Sequence, residues 1–144
     1  SNTNCRSTEG TSLYNAGTMT FYGEARFNDI IARNNGGAVL NELGSMTFRS
    51  DVEFNNNYAS NFGGGIAVEG GDVTFRKAVK FIGNTADSGG AFAVMFKEMF
   101  IRGVLINSGF GSLTFETPSA VVFKDNTADT RYFDDNCTVG DVEE

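Results

Sequence analysis

The sequence predicts an all-β fold, a parallel β-helix of about four stacked coils with three short strands per coil, in one domain spanning residues 1–144. Three observations carry this prediction: a fixed repeat, short apolar segments between turn residues, and phenylalanine at the same place in each repeat. The repeat is defined by two evenly spaced series of phenylalanines, Phe21–Phe48–Phe75 and Phe27–Phe54–Phe81, which share one period. A period between about 20 and 50 residues, as here, is typical of a solenoid.

Each repeat contains three apolar segments that are too short for helices and are bounded by Gly, Asn, Asp or Ser, which is typical of strands. In the second copy they are Val39–Asn41, Ser45–Phe48 and Val52–Phe54, and in the third Ile66–Val68, Asp72–Phe75 and Val79–Phe81. The first copy begins near Ser12, and the fourth provides 92–94, 112–115 and 121–123. We therefore expect coils over residues 12–126, an N-terminal tail or cap over 1–11, and a C-terminal cap or tail over 127–144.

Alternation along each strand indicates which side chains point inward. The predicted inward columns are Met19–Met46–Val73–Leu113, Phe21–Phe48–Phe75–Phe115, Ala25–Val52–Val79–Val121 and Phe27–Phe54–Phe81–Phe123. Outward positions alternate in sign at Arg26, Glu53 and Lys80, whereas Arg49 and Arg76 are neighbours of like charge. These outward charges are typical of solvated ladders.

Asparagine recurs three residues after a core phenylalanine, at Asn57, Asn84, Asn126 and Asn136, and the first copy has Ile30 there. Asparagine suits turns, and stacked side chains of this type can bond along the axis of a solenoid. The sequence therefore predicts a structural role for this series.

Two motifs together, Gly-Gly-Ala-aliphatic (Gly36–Val39, echoed at 64–66 and 89–92) and Phe-x-x-Asn, resemble the repeats of chlamydial polymorphic outer-membrane proteins. Similar repeats occur in proteins of diatoms and other algae. The resemblance covers roughly residues 18–136 and implies a right-handed β-helix displayed at the cell surface and used in adhesion. The chain is much shorter than those proteins, and we expect it to lack their membrane barrel.

The period fails once, because the first phenylalanine series resumes after Phe75 only at Phe115, well beyond one repeat. The excess is an inserted arm, Met95–Ser108, whose apolar spacing predicts a helix from Met95 that Gly103 would end, followed by an extended segment. Its apolar residues are the candidate partner-binding residues: Met95, Phe96, Met99, Phe100, Ile101, Val104, Leu105 and Ile106. Two hypotheses stay open: an arm that folds against its own solenoid, and a docking finger that buries these side chains in a partner.

Composition excludes several function classes. A net charge of −7 argues against nucleic acid or an anionic membrane surface as partner, and no apolar run is long enough to span a bilayer. The absence of histidine excludes histidine triads and histidine-ligated metals, so we expect no cofactor, no metal and no catalysis. Cys5 and Cys137 are expected beyond opposite ends of the stack, which leaves open free thiols, an intermolecular bridge, or a bridge formed by a folded-back tail.

Two alternatives compete with a binding role. Asp125 and Asp134–Asp135 form an acidic cluster that suits either a polysaccharide lyase-like enzyme or a polar end cap. Outward Thr-x-Thr-like pairs, at 18–20, 45–47, 72–74 and 112–114, look like the face of β-helical ice-binding proteins. The prediction preferred is a non-catalytic scaffold for protein partners, either an adhesion module or a small subunit of a larger assembly, with the tails as further contact sites. The expected location is extracellular or at the cell surface; an algal organelle is the alternative.

Overall fold

A computed structural model describes the chain over residues 3–5 and 11–128. Its strands begin with β1 (Thr3–Cys5), β2 (Leu13–Asn15), β3 (Thr18–Phe21), β4 (Ala25–Asn28), β5 (Ile31–Ala32), β6 (Val39–Phe48), β7 (Val52–Asn55) and β8 (Tyr58–Ala59). They continue with β9 (Ile66–Phe75), β10 (Val79–Ile82), β11 (Thr85–Ala86), β12 (Phe92–Ile101), β13 (Val104–Phe115), β14 (Val121–Lys124) and β15 (Thr127–Ala128). A single turn of 3-10 helix spans Pro118–Ala120.

These strands form a β-solenoid of about three turns, which confirms the predicted fold class. The first sheet has the order β1-β4-β7-β10-β14, and the second has the order β5-β8-β11-β15. The third sheet contains β2 and β3 beside β6, followed by β9 and then β12 and β13. Strands of successive coils pair in parallel, so each coil adds one layer to every sheet.

The third sheet is built from two of the predicted segments joined through a bend. Val39–Asn41 and Ser45–Phe48 are the two halves of β6, and Leu43 has a φ of 55° at the bend between them. In β9 the bend falls at Gly70 and Gly71, with φ of 71° and 76°. The two-residue strands of the second sheet were not predicted from the sequence, because segments this short show no alternation.

The predicted inward columns lie in register from coil to coil. One phenylalanine stack has ring centroids 4.8 Å apart between Phe21 and Phe48 and 5.0 Å between Phe48 and Phe75. The other stack places Phe54 4.9 Å from Phe81, and the two stacks meet edge to face. Buried aromatic side chains packed in this way dominate the energetics of a core.

The asparagines of the Phe-x-x-Asn motif form a buried ladder. Asn57 Nδ2 donates to Asn84 Oδ1 at 2.9 Å, and Asn84 Nδ2 donates to Asn126 Oδ1 at 2.9 Å. Each amide also donates to a carbonyl of the preceding coil, as from Asn84 to Phe54 O at 2.9 Å. The left-handed turn residue is the neighbour that precedes each ladder position, such as Asn56 with a φ of 55°. The structural role predicted for this series is therefore confirmed for the described members, whereas Asn136 lies outside the described residues.

The two positions of each glycine pair require glycine for different physical reasons. The first member has a positive φ, 67° at Gly63, which glycine adopts without strain. The second allows two coils to approach, because a Cβ on Gly64 would lie 2.3 Å from Gly90 O. A Cβ on Gly37 would lie 1.9 Å from Gly64 O in the same way. The motif therefore fixes both the corner and the spacing between coils.

The N-terminal segment adds to the first sheet, because β1 pairs in parallel with β4 and Cys5 lies opposite Phe27. The backbone at Cys5 thus belongs to an end layer of the stack. Cys137 lies outside the described residues, as do Asp134–Asp135 and the rest of 129–144, so the alternatives for the two thiols stay predictions.

Candidate functional site

The inserted arm is a β-hairpin that leaves the third sheet at the bend of a coil. Met95 lies opposite Glu69 and Gly111 lies opposite Gly71, so Phe96–Phe110 stands where the preceding coil has Gly70 alone. The whole hairpin therefore replaces a single residue of the repeat. The flanking parts of β12 and β13 both pair with β9, which roots the hairpin in the solenoid at both ends.

The predicted helix from Met95 is wrong, because β12 continues as a strand to Ile101 and pairs antiparallel with β13. The backbone is already extended where it enters the insertion, since Phe92–Met95 pairs with Ile66–Glu69. Arg102 and Gly103 then form a two-residue turn with φ of 53° and 78°, which matches the twist of a hairpin. Gly103 between two apolar runs was visible in the sequence, but Arg102–Gly103 is a weaker hairpin signal than Asn-Gly or Asp-Gly.

One face of the hairpin is aromatic and exposed. Phe96 lies opposite Phe110 with ring centroids 4.8 Å apart, and Phe100 lies opposite Leu105. The exposed fractions are 47% for Phe96, 55% for Phe100 and 82% for Phe110. Glu98 is the polar residue between the two aromatic positions of β12. This face therefore presents three phenylalanines and a leucine to the surroundings.

The remaining predicted partner-binding residues lie in the same hairpin or at its base. Ile101 and Val104 face each other beside the turn, and Ile106 lies at a bulge where β13 has one more residue than β12. All three are at least half exposed, whereas Met95 and Met99 are half-buried. The structure thus brings seven of the eight predicted residues into the hairpin, whereas Met95 pairs with Glu69 in the solenoid at its base. Sequence reasoning missed Phe110, because the insertion was taken to end at Ser108.

The base of the hairpin is held by a cluster of charges that the sequence analysis did not identify. Lys97 Nζ lies 2.9 Å from Glu42 Oε2 and 3.4 Å from Glu69 Oε1, on two successive coils. Tyr14 donates from its hydroxyl to Glu42 Oε1 at 2.5 Å, and Asn35 Nδ2 donates to Glu69 Oε2 at 3.1 Å. We call Tyr14, Glu42, Glu69 and Lys97 the anchor cluster. It joins the hairpin to three coils of the solenoid.

The anchor cluster shifts the ionisation of its members. The hydrogen bond from Tyr14, followed by that from Lys97, holds the pKa of Glu42 below its usual value. The hydrogen bond with Glu42 raises the pKa of Lys97, and the same carboxylate raises the pKa of Tyr14. Each shift favours the ionisation states that keep the cluster bonded at neutral pH.

An apolar groove continues from the hairpin base onto the solenoid. Its volume is about 380 Å³, and it is lined by Phe62, Ser88, Gly89, Phe92, Ala93, Val94 and Met95. Phe62 and Val94 are exposed. The groove and the aromatic face of the hairpin therefore adjoin along β12.

The other candidate sites have structural explanations in the described residues. Asp125 has a φ of 55° at a corner between strands, and its proposed acidic partners lie outside the described residues. Between residues 11 and 128 no group of three or more His, Cys, Asp or Glu could hold a metal ion. The threonines of the outward face stack in register, but Asp72 accepts a hydrogen bond from Ser112 at 2.5 Å and interrupts the hydroxyl series.

The fold and the ladder motifs define a β-solenoid repeat protein. The predicted resemblance to chlamydial repeats is confirmed, because residues 51–69 match the Chlamydia polymorphic membrane protein repeat. This segment contains Phe54, Asn57 and the Gly63–Gly65 corner, the parts of one coil that the ladder and the close approach require. No curated protein and no solved structure gives a significant match to the chain.

The repeat and the solenoid are compatible with a surface or protein-interaction repeat protein, and the repeat family is not an enzyme family. In the described part of the chain, no helix has both the length and the apolar character needed to cross a membrane.

Proposed function

We propose that this chain is a non-catalytic β-solenoid scaffold that binds a protein partner through the hairpin Phe96–Phe110. The observation that supports this most is the exposed aromatic face, above all Phe110 with 82% of its surface exposed. Leaving three phenylalanines and adjacent aliphatic residues in water is unfavourable, and burial of each large apolar side chain in a partner would recover roughly 1.5–3 kcal/mol. A contiguous exposed apolar surface of this kind marks an interaction site.

The partner chemistry follows from the shape of the hairpin. A two-stranded ribbon with the Phe96–Phe110 pair on one face fits an apolar groove of a protein. Aromatic anchors in such a groove provide most of the binding energy of an interface. Arg102, in the exposed turn at the tip, would lie at the polar rim, and Glu98, between Phe96 and Phe100, calls for a polar or basic group of the partner opposite it.

The structural setting favours docking over an arm that covers its own solenoid. Lys97 fixes the base against Glu42 and Glu69, while the tip residues Ile101 and Val104 stay more than half exposed. A rigid presentation lowers the entropic cost of association. Fixing the base and exposing the tip is the arrangement expected of a contact element.

The matched repeat supports a cell-surface context, with the solenoid as the spacer that displays the hairpin. We place the function there, as an adhesion module. The alternative, a small subunit of a larger assembly, uses the same hairpin with a partner that is permanently bound.

The test compares two hairpin variants with the wild type. The register sets the first, in which one glycine replaces Phe96–Phe110 between Met95 and Gly111, because the preceding coil closes the same bend with Gly70. The second, Phe96→Ser with Phe110→Ser, keeps the hairpin and removes its aromatic pair. Tyr22→Ser, which removes an exposed aromatic residue elsewhere, is the matched control.

The partner is first captured in the native source by a photo-crosslinking residue placed at position 110 or, separately, at position 22 of the otherwise wild-type chain, and the variants are then compared with the wild type for co-purification of that partner. We expect a defined protein to crosslink from position 110 only, and the two hairpin variants to lose its co-purification. A defined product from attached cells supports adhesion, whereas a product that co-purifies in a stable complex supports assembly. Equal crosslinking from both positions, or loss of the folded solenoid in the glycine variant, would contradict the proposal.

A further inference from the structure

A second surface, which shares no residue with the hairpin, has the chemistry of an anion site. Arg49, Arg76, Lys77 and Glu116 line a cleft of about 320 Å³ at one corner of the solenoid. Three cations and one carboxylate give this cleft a net positive charge, in a chain that has 11 Lys and Arg against 18 Asp and Glu. The cleft is therefore locally positive in a chain whose net charge is negative.

The corner is formed by stacked equivalents from successive coils. The amide of Arg49 donates to Phe21 O, that of Arg76 to Phe48 O, and that of Glu116 to Phe75 O, each at 2.8–2.9 Å. In successive coils this corner position is therefore occupied by Tyr22, Arg49, Arg76 and Glu116. Two cations on adjacent layers repel each other, which destabilises a sheet. The first sheet avoids this cost at one outward position, since Arg26 pairs with Glu53 of the next layer at 3.3 Å.

The two arginines are held from opposite sides. The Arg49 guanidinium lies over the Tyr22 ring, 5.2 Å from its centroid, on the layer before it. Arg76 Nε lies 3.0 Å from Glu116 Oε1, on the layer after it. Thr117 also donates from Oγ1 to Arg76 O at 2.9 Å and fixes the backbone there. Each guanidinium is thereby oriented by a different partner.

We propose that this cleft binds an oxyanion, namely a sulfate, phosphate or carboxylate group. Guanidinium forks match the oxygens of these groups and bind them through short, charge-assisted hydrogen bonds. Arg49 and Arg76 contribute the two forks, and the Lys77 ammonium adds a third donor group. The site is separate from the docking hairpin, so neither proposal depends on the other.

Glu116 gives the proposal a distinctive test, because its carboxylate occupies one edge of the Arg76 guanidinium that an oxyanion would use. The chain is titrated with inorganic sulfate, inorganic phosphate and acetate at constant ionic strength. Binding is followed by the NMR shifts of the Arg49, Arg76 and Glu116 amides. The ranking of the three probes identifies the preferred oxyanion.

We expect saturable shifts for at least one probe, weakened about tenfold in Arg49→Gln and in Arg76→Gln. Glu116→Gln should tighten binding several-fold, whereas a merely structural ion pair would give no such gain. Lys80→Gln, an exposed lysine that does not line the cleft, should leave the affinity unchanged. Linear, non-saturating shifts with every probe, or equal affinity in wild type and Arg49→Gln, would overturn the proposal. The amide spectrum of each variant shows independently that it is folded.

Discussion

The Lys97 ammonium lies 2.9 Å from Glu42 Oε2 and joins two parts of the chain that the repeat pattern places on different coils. Glu42 lies at the end of the first half of β6, and Lys97 is the second residue of the hairpin. Because Glu69 is stacked on Glu42 and also contacts Lys97, one cation neutralises two adjacent carboxylates. The contact therefore both relieves repulsion within the solenoid and orients the hairpin.

Removing this cation should loosen the hairpin without unfolding the solenoid. In Lys97→Met we expect faster hydrogen exchange over 96–110, and a change in the free energy of unfolding of less than about 1 kcal/mol, as for other partly exposed ion pairs. Exchange measured by mass spectrometry on peptides from the hairpin and from β7 tests both parts. Lys97→Arg keeps the charge and serves as the control. Unchanged exchange in the hairpin of Lys97→Met would show that the anchor cluster has no positioning role.

The stabilisation of the hairpin by the anchor cluster should change in two separate pH ranges, one acidic and one alkaline. The pKa of Glu42 is lowered from an ordinary value of 4.5, chiefly by Tyr14 and then by Lys97, so its contribution is present above that value. It is lost as the pH falls through the lowered pKa. The pKa of Lys97 is raised from 10.5, so its contribution is complete below that value and is lost as the pH rises through the raised pKa.

We therefore expect hairpin protection from exchange, corrected for the intrinsic rate, to be constant near neutral pH and to fall in acid. Glu69 faces the same ammonium, with 3.4 Å between Lys97 Nζ and Glu69 Oε1. Glu42→Gln should lower the protection of the hairpin near neutral pH and should reduce the fall in protection at acid pH. An equally large fall in Glu42→Gln would assign the acid dependence to other carboxylates.

The sequence was sufficient for the solenoid because every coil repeats the same physical requirements. Phe48 and Phe75 are one repeat apart, and their stacking in register follows from that spacing alone. The hairpin has no second copy to compare. Its apolar spacing at 95, 96, 99 and 100 fits a helix face as well as two faces of a strand. The pairing of Phe92–Met95 with β9 selects the strand over the helix. A tertiary contact of that kind cannot be recognised from the local pattern of apolar residues.

The anchor cluster could be recognised only in part. Glu42 and Glu69 occupy the same position of successive repeats, so their stacking is predictable from the period. Lys97 could not be assigned to them, because its position depends on the direction in which the insertion leaves the coil. Phe110 was missed for a related reason: the pairing with Phe96 extends the hairpin beyond the predicted end at Ser108.

The asparagine ladder should contribute more to stability than asparagines on the outer surface. Asn84→Ala removes the acceptor for both the amide nitrogen and Nδ2 of Asn57, at 3.0 and 2.9 Å, and leaves these buried donors unsatisfied. We expect the free energy of unfolding to fall by roughly 2–5 kcal/mol. Asn55→Ala, which breaks a partly buried bond to Asn28 on the outer side of the first sheet, should cost less than about 1.5 kcal/mol. Denaturant unfolding compares the two, and equal losses would contradict a special role for the ladder.

Phe54 belongs to the core of the solenoid, and Phe100 belongs to the exposed aromatic face of the hairpin. Phe54 is fully buried, stacked 5.1 Å from Phe27 and 4.9 Å from Phe81, whereas Phe100 is 55% exposed. Phe54→Ala leaves a cavity between two layers and should lower the free energy of unfolding by about 3–5 kcal/mol, with Phe54→Leu as the milder variant if the alanine form does not fold. Phe100→Ala should change it by less than about 0.5 kcal/mol and should weaken partner crosslinking from position 110. Denaturant titration of the three variants measures this contrast. A large loss of stability in Phe100→Ala would mean that the aromatic face of the hairpin packs on its own solenoid and not on a partner.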